Sequence, residues 1–338
     1  MSRGLGDVYK RQRLKGNQLG IDTELFKDEI FPKPCDQYKG IVEVFMPGSS
    51  LEKMFTDERG VPVEEVYQYE NFDWIENEFV EIVSDTSKAI GRYTNGRIVR
   101  LKYDKSIPGG HKALNVEQVV FWESLLMPPD IAPLVVTKGV AGTGKTYCSL
   151  AMALNAIEKK GDKKKQTYKQ IIVATPTVTV ANEELGFLPG EIDDKVGPYL
   201  GGIVDNLKEI LRQKFPDFTN AELKKKAMEF FERGDIEIQP IGFLRGRTIP
   251  NTVFIIDETQ NIKPCDIKDI VTRSAEGSKF IFLGDADQVN NPALNSRYNG
   301  LVYLSEKMKG NPHTFQITLN SKKSVRSKLA QELSLIHI

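Results

Sequence analysis

Leu134-Val135-Val136-Thr137-Lys138-Gly139-Val140-Ala141-Gly142-Thr143-Gly144-Lys145-Thr146 decides the fold, because an apolar run leads into a complete G-x-x-x-x-G-K-[ST] pattern. Such glycines let the backbone bend tightly and aim its N–H groups at phosphate oxygens, and a helix starting at Lys145 points its positive end there. The nucleotide-binding segment is therefore Gly139, Val140, Ala141, Gly142, Thr143, Gly144, Lys145 and Thr146. In such a cradle Lys145 reaches the β- and γ-phosphates and Thr146 holds Mg²⁺. The stretch from Tyr147 to Ile157 supplies helix formers with apolar residues at i, i+3 and i+4, so strand, loop and helix follow in the required order.

Two more apolar runs end in acidic residues. Thr252-Val253-Phe254-Ile255-Ile256 passes into Asp257-Glu258-Thr259-Gln260, the pattern of a buried parallel strand with carboxylates at its tip. Ligands of open α/β sheets bind at the carboxyl ends of strands, which places both acids beside the phosphate loop. Asp257 suits a role at the magnesium site just outside the ion's immediate ligands, and Glu258 that of the group polarising the attacking water. Lys279-Phe280-Ile281-Phe282-Leu283 likewise ends in Gly284-Asp285-Ala286-Asp287-Gln288, whose polar end, Gln288 above all, can sense the γ-phosphate. Upstream, Asn115 and Gln118 flank a helix start. A Gln amide can pair two ways with the adenine N6 and N7 edge and so select ATP. The same two residues also fit a capping box, and the two roles are compatible.

These segments, with Glu184-Leu185-Gly186-Phe187-Leu188-Pro189-Gly190, Asp194-Lys195-Val196-Gly197-Pro198-Tyr199 and Phe243-Leu244-Arg245-Gly246-Arg247-Thr248, resemble the PhoH family of ATPases over roughly residues 106–332. The resemblance implies an α/β fold with a RecA-like P-loop core, a parallel sheet flanked by helices, and helicase-like ATP hydrolysis with ATP and Mg²⁺. It also implies single-stranded RNA as a partner and assembly as a homo-oligomer, such as a hexameric ring. Two positions depart from the family pattern. Ala174-Thr175-Pro176-Thr177 stands where an Arg-Pro is usual and is similar to a Thr-Pro-Thr element that touches nucleic-acid backbone, and the acidic segment reads DETQ for DEAQ. Arg245, Arg247, Arg273 and Arg326 are candidates for a transition-state arginine, with Arg247 and Arg326 first because their segments match the family.

The N-terminal third has its own pattern. Arg13-Leu14-Lys15-Gly16-Asn17-Gln18-Leu19-Gly20-Ile21, Tyr38-Lys39-Gly40, Asn77-Glu78-Phe79-Val80 and Gly91-Arg92-Tyr93 resemble the stretch joining a PIN ribonuclease domain to a PhoH partner. On that resemblance residues 13–36 are a nuclease remnant without its metal-binding carboxylates. Residues 37–105 read as a strand-rich connector, with Asn95-Gly96 as a hairpin turn, and 106–332 as the ATPase domain. Residues 7–12 and 333–338 can be encoded by one DNA element read in opposite directions, and that element resembles a transposon end used to prepare sequencing libraries. Residues 1–12 and 333–338 are accordingly expected to be adapter-derived and set aside from fold reasoning.

Composition bounds the rest. With 46 basic and 46 acidic residues the formal net charge is zero, so nucleic-acid contact would need local patches such as Lys159-Lys160, Lys163-Lys164-Lys165 or Lys224-Lys225-Lys226. The apolar fraction of 40% suffices for a core, and no apolar run reaches transmembrane length. Cys35, Cys148 and Cys265 show no C-x-x-C spacing, which argues against a zinc site or disulfide framework. A cytoplasmic, membrane-free ATPase is the expectation. The rival reading is a nucleotide-dependent assembly switch, against which Glu258 and Gln260 weigh, because simple binding needs no water-orienting carboxylate.

Overall fold

The computed structural model describes residues 31–32, 36–66, 73–85, 87–157, 167–176, 192–244 and 248–319, with backbone alone at 109 and 192–199. The proposed adapter segments, nearly all of the nuclease remnant, Lys159 to Lys165, Glu184 to Gly190, Arg245, Arg247 and Arg326 lie outside these residues, as do Thr177 and Cys35.

The larger sheet has six parallel strands: β6 (Leu134–Gly139), β7 (Gln170–Thr175), β8 (Ile236–Pro240), β9 (Thr252–Ile256), β10 (Lys279–Gly284) and β11 (Thr314–Leu319). Their spatial order is β11-β6-β10-β9-β7-β8. Continuous apolar runs form strands here because both faces are covered, so alternate residues of one strand enter different cores. Val135, Ile171, Val173, Val253, Ile255, Ile281 and Leu283 face helices α2 (Val116–Leu126), α3 (Lys145–Ile157), α4 (Ile192–Lys214) and α5 (Asn220–Glu232). Leu134, Val136, Ile172, Phe254, Ile256, Phe280 and Phe282 face α6 (Pro264–Val271) and α7 (Gly300–Lys307). Phe254 and Phe280 stack across neighbouring strands at 4.4 Å. Fully burying one such side chain stabilises the fold by roughly 1.5–3 kcal/mol.

A second sheet of five strands precedes it, in the order β1-β3-β4-β5-β2. Its members are β1 (Ile41–Phe45), β2 (Val61–Pro62), β3 (Phe79–Val83), β4 (Lys88–Thr94) and β5 (Arg97–Arg100), with helix α1 (Gly48–Thr56) between β1 and β2. The β4–β5 hairpin closes through Asn95-Gly96, both with positive φ, the conformation that dipeptide favours. Met46, Leu51, Met54, Val61, Ile82 and Ile98 give this sheet its own core.

Polar contacts tie the small sheet to the β11 side of the large one. Asn77 Nδ2 donates to the Pro312 carbonyl at 2.8 Å, the Thr318 amide to the Lys39 carbonyl at 2.9 Å, and Lys138 Nζ to the Tyr38 carbonyl at 2.5 Å. Phe79 packs against Phe315 at 6.2 Å, and the Arg92 guanidinium lies 5.3 Å from the centre of the same ring.

Candidate nucleotide-binding site

Strand β6 delivers the phosphate loop at its carboxyl end and α3 begins at Lys145, as the sequence implies. Gly142 and Gly144 take φ of 86° and 87°, a left-handed conformation that glycine adopts without strain. Thr143 Oγ1 donates back to the Val140 carbonyl at 2.9 Å and holds the loop's bend. Lys145 Nζ donates to the carbonyls of Gly139 and Val140 at 2.5 and 3.0 Å, so its charge is centred on the loop.

The acidic strand β9 is not the immediate neighbour of β6, since β10 lies between them. The cleft nonetheless closes: Thr146 Oγ1 donates to Asp257 Oδ2 at 2.6 Å, across 111 residues of chain. The Asp257 amide is held by the Ala174 carbonyl at the end of β7, and Asp257 Oδ1 accepts from the Glu258 amide at 2.9 Å. Glu258 itself adopts φ 54°, ψ 35°, a left-handed conformation uncommon outside glycine. Such strain persists where surrounding bonds fix it. Here Gln260, wholly buried, supplies them: its Nε2 donates to Glu258 Oε2 at 2.6 Å and to the Gln288 carbonyl at 3.1 Å, while its Oε1 accepts from the Asp285 amide at 3.1 Å. One side chain thus joins the tips of β9 and β10.

Asp285 and Glu258 are both raised above the ordinary carboxylate range, each first by burial. The Asp257 charge pushes Glu258 further up, while the Gln260 amide and the Lys145 charge pull it down. For Asp285 the Asp287 amide, the Lys145 ammonium and the Ala141 amide all favour the ionised form, and the Asp287 carboxylate opposes it. Asp285 therefore lies beside the Ala141 amide of the phosphate loop, a placement that the strand-then-acid pattern indicated only by position. Gln288 is exposed at the mouth of the cleft. The cleft, of about 300 Å³, is lined by the loop, Lys145, Thr146, Asp257, Glu258, Gly284, Asp285 and Gln288, and also by Tyr147 and Asn206, which no sequence pattern singled out.

Asn115 caps α2, its side chain accepting from the Gln118 amide at 2.9 Å. The reciprocal half of a capping box is not made at Asn115. Gln118 Oε1 instead accepts from the Leu114 amide at 2.9 Å, and its Nε2 donates to the Thr143 carbonyl at 3.3 Å, so this amide ties the chain ahead of α2 to the phosphate loop. Thr175 is buried at the end of β7 and Pro176 follows it. Arg273 is exposed beyond α6, and Lys224 and Lys225 are exposed on α5 where Lys226 pairs with Glu229 at 2.7 Å. Cys148 is a packing residue under the loop, its thiol pushed up to about 12 by burial. Among the described residues no three His, Cys, Asp or Glu side chains gather as a metal-binding group, and no helix is long and apolar enough to cross a membrane.

A phosphate loop at the head of a parallel sheet, facing two carboxylates from the tip of β9 two strands away, defines a nucleotide-binding ATPase core. The family described as PhoH-like protein matches residues 112–337. Protein PhoH2 of Bacillus subtilis (strain 168) is 33% identical over 324 residues, covering 94% of this chain and 69% of that protein. Protein PhoH2 of Thermobispora bispora is 29% identical over 318 residues, covering 94% of this chain and 66% of that protein. A PhoH-like protein of Bacillus subtilis (strain 168) is 38% identical over 200 residues, covering 59% of this chain and 56% of its own. The chain belongs to the PhoH family.

Proposed function

We propose that this chain hydrolyses ATP and couples turnover to movement along, or unwinding of, single-stranded RNA. The observation that carries hydrolysis is the bond from Thr146 to Asp257 with Glu258 locked beside it by Gln260. A pure nucleotide binder has no need to strain a carboxylate into this position.

Thr146 Oγ1 and Asp257 Oδ2 are a hydroxyl and a carboxylate at one point of the cleft, the hard oxygen set that Mg²⁺ takes together with substrate phosphates. They fit the ion. Bound there, Mg²⁺ would neutralise charge developing on the β- and γ-phosphate oxygens. The chain's own groups do the rest. Amides of the loop from Gly139 to Thr146 bind the phosphates, and Lys145 reaches towards the β- and γ-phosphates. Glu258 orients water and accepts its proton, aided by the anchoring bond from Gln260. Gln288 reads the γ-phosphate from the mouth of the cleft. Asn115 and Gln118 contact adenine in this reading, provided that Gln118 exchanges one of its present bonds for the base edge.

The RNA partner, the homo-oligomeric ring, an arginine supplied as Arg247 or Arg326, a cytoplasmic location and a ribonuclease domain on the intact protein are likewise proposals. Their support is the resemblance of the sequence segments that bear them. The deciding experiment is steady-state ATP turnover by the full chain with and without single-stranded RNA, beside Glu258→Gln and Lys145→Ala. Turnover that rises with RNA and vanishes in both variants supports the reading. ATP binding without strand-stimulated turnover in an assembled sample would overturn the motor and favour an assembly switch.

A further inference from the structure

The side chains lining the nucleotide cleft are of two kinds. Lys145, Thr146, Asp257, Glu258, Asp285 and Gln288 belong to the phosphate and water chemistry of the proposed reaction. Tyr147 on α3 and Asn206 on α4 have no part in it and add an aromatic ring and an uncharged amide. A nucleoside is an uncharged body carrying hydroxyls and a π-face. With the phosphates on the loop, the nucleoside needs such a surface, and Tyr147 is the aromatic ring among the residues that line this cleft.

Tyr147 is fixed there from outside the cleft. The rings of His111 and Tyr147 meet edge to face, 4.8 Å between centres at 84°. The Tyr147 hydroxyl lies within hydrogen-bonding reach of the His111 ring nitrogens, and the Ile210 backbone of α4 lies beside the same ring. His111 is only 8% exposed and lies beside Tyr147 on α3 and Ile210 on α4. Burial first, and the Lys214 charge, lower the ring below the ordinary histidine value against the opposing Ile210 backbone, which favours the neutral form in which one nitrogen accepts. A tyrosine needed merely to fill space has no use for such a bracket.

We propose that Tyr147 forms the wall against which the nucleoside of the bound nucleotide packs, and that His111 is a positioning residue holding that wall in place. This rests on the cleft being a nucleotide site. Tyr147 adds to the affinity for ATP and contributes nothing to the phosphates, so its loss should appear in binding and KM and spare turnover at saturation.

The test compares ATP with inorganic triphosphate, which has the phosphates and no nucleoside, by calorimetry on the full chain and on Tyr147→Ala, Tyr147→Phe, His111→Ala and His111→Gln. Stacking energies of the usual size imply that Tyr147→Ala weakens ATP about tenfold while triphosphate affinity stays within about twofold. His111→Ala and Tyr147→Phe should each give a smaller loss of the same kind with kcat retained, no further loss when combined, and recovery in His111→Gln, whose amide can accept from the tyrosine. Equal loss of ATP and triphosphate in Tyr147→Ala would overturn the proposal, as would no loss of either. If the unaltered chain binds neither ligand, the nucleotide reading of the cleft itself has failed.

Discussion

A Cβ placed on Gly284 would lie 2.3 Å from Gln260 Oε1. Only glycine at the tip of β10 lets the Gln260 amide pass close enough to accept from the Asp285 amide, and that amide group is what anchors Glu258. Gly284→Ala should therefore displace Gln260 and release Glu258. The expected outcome is a loss of about 1–3 kcal/mol from overcrowding, with a fall in kcat but ATP still bound by the phosphate loop. Urea unfolding and steady-state kinetics would show it, and wild-type kcat in Gly284→Ala would sink the argument.

The Thr146–Asp257 bond gives a prediction about the metal ion. Asp257→Asn keeps an oxygen able to accept from Thr146 while removing the charge. Nucleotide affinity without Mg²⁺ should hold steady, the gain on adding Mg²⁺ should disappear, and turnover should fall by about a hundredfold or more. Titration of a fluorescent nucleotide with and without Mg²⁺ separates these effects. An undiminished Mg²⁺ gain in the variant would remove Asp257 from the ion's coordination.

The parts of the site that could be read from the sequence are those whose chemistry is local. The phosphate loop is eight contiguous residues, and Asp257, Glu258, Asp285 and Gln288 each follow an apolar run that marks its own strand. What the sequence could not show is the lateral order of the strands. The placement of β10 between β6 and β9 brings Asp285 to the Ala141 amide and lets one glutamine join two strand tips. Gln118 illustrates the same limit, because its local spacing fits a cap and its bond to the Thr143 carbonyl spans 25 residues. Tyr147 and Asn206 reach the cleft through the packing of α3 on α4, which no periodicity encodes.

Asn77 holds the seam between the sheets. It is 4% exposed with φ 65°, donates to the Pro312 carbonyl, and accepts from Arg92 Nη1 at 2.5 Å. Asn77→Ala leaves the part-buried Pro312 carbonyl and the half-buried Arg92 guanidinium short of a partner, in a backbone conformation that alanine disfavours. The expected cost is about 2–4 kcal/mol, with Asn77→Gly recovering only the backbone part. Thermal unfolding of both variants reads this directly, and a change in Tm no larger than that of an exposed substitution would show that the seam is not stabilised here.

Lys279 begins β10 with its side chain wholly buried, donating to the Ser124 and Met127 carbonyls at 2.9 and 2.7 Å where α2 ends. Burial lowers its ammonium to about 7 in the folded chain. The same group titrates near about 10.4 when unfolded. Below the folded value both states are protonated and the full cost of a buried charge is present; between the two values the unfolded chain holds a proton that the folded chain has lost. Stability from this residue therefore rises with pH across that window, by about 1.4 kcal/mol per pH unit where the difference in bound protons is complete. Lys279→Met deprives both carbonyls of their donor and should impose a roughly constant cost of about 1–3 kcal/mol, while abolishing the pH-dependent gain. Urea midpoints at successive pH values between 7 and 9.5 should thus show the wild-type chain gaining on the variant as pH rises, whereas parallel curves would mean that Lys279 keeps its proton throughout.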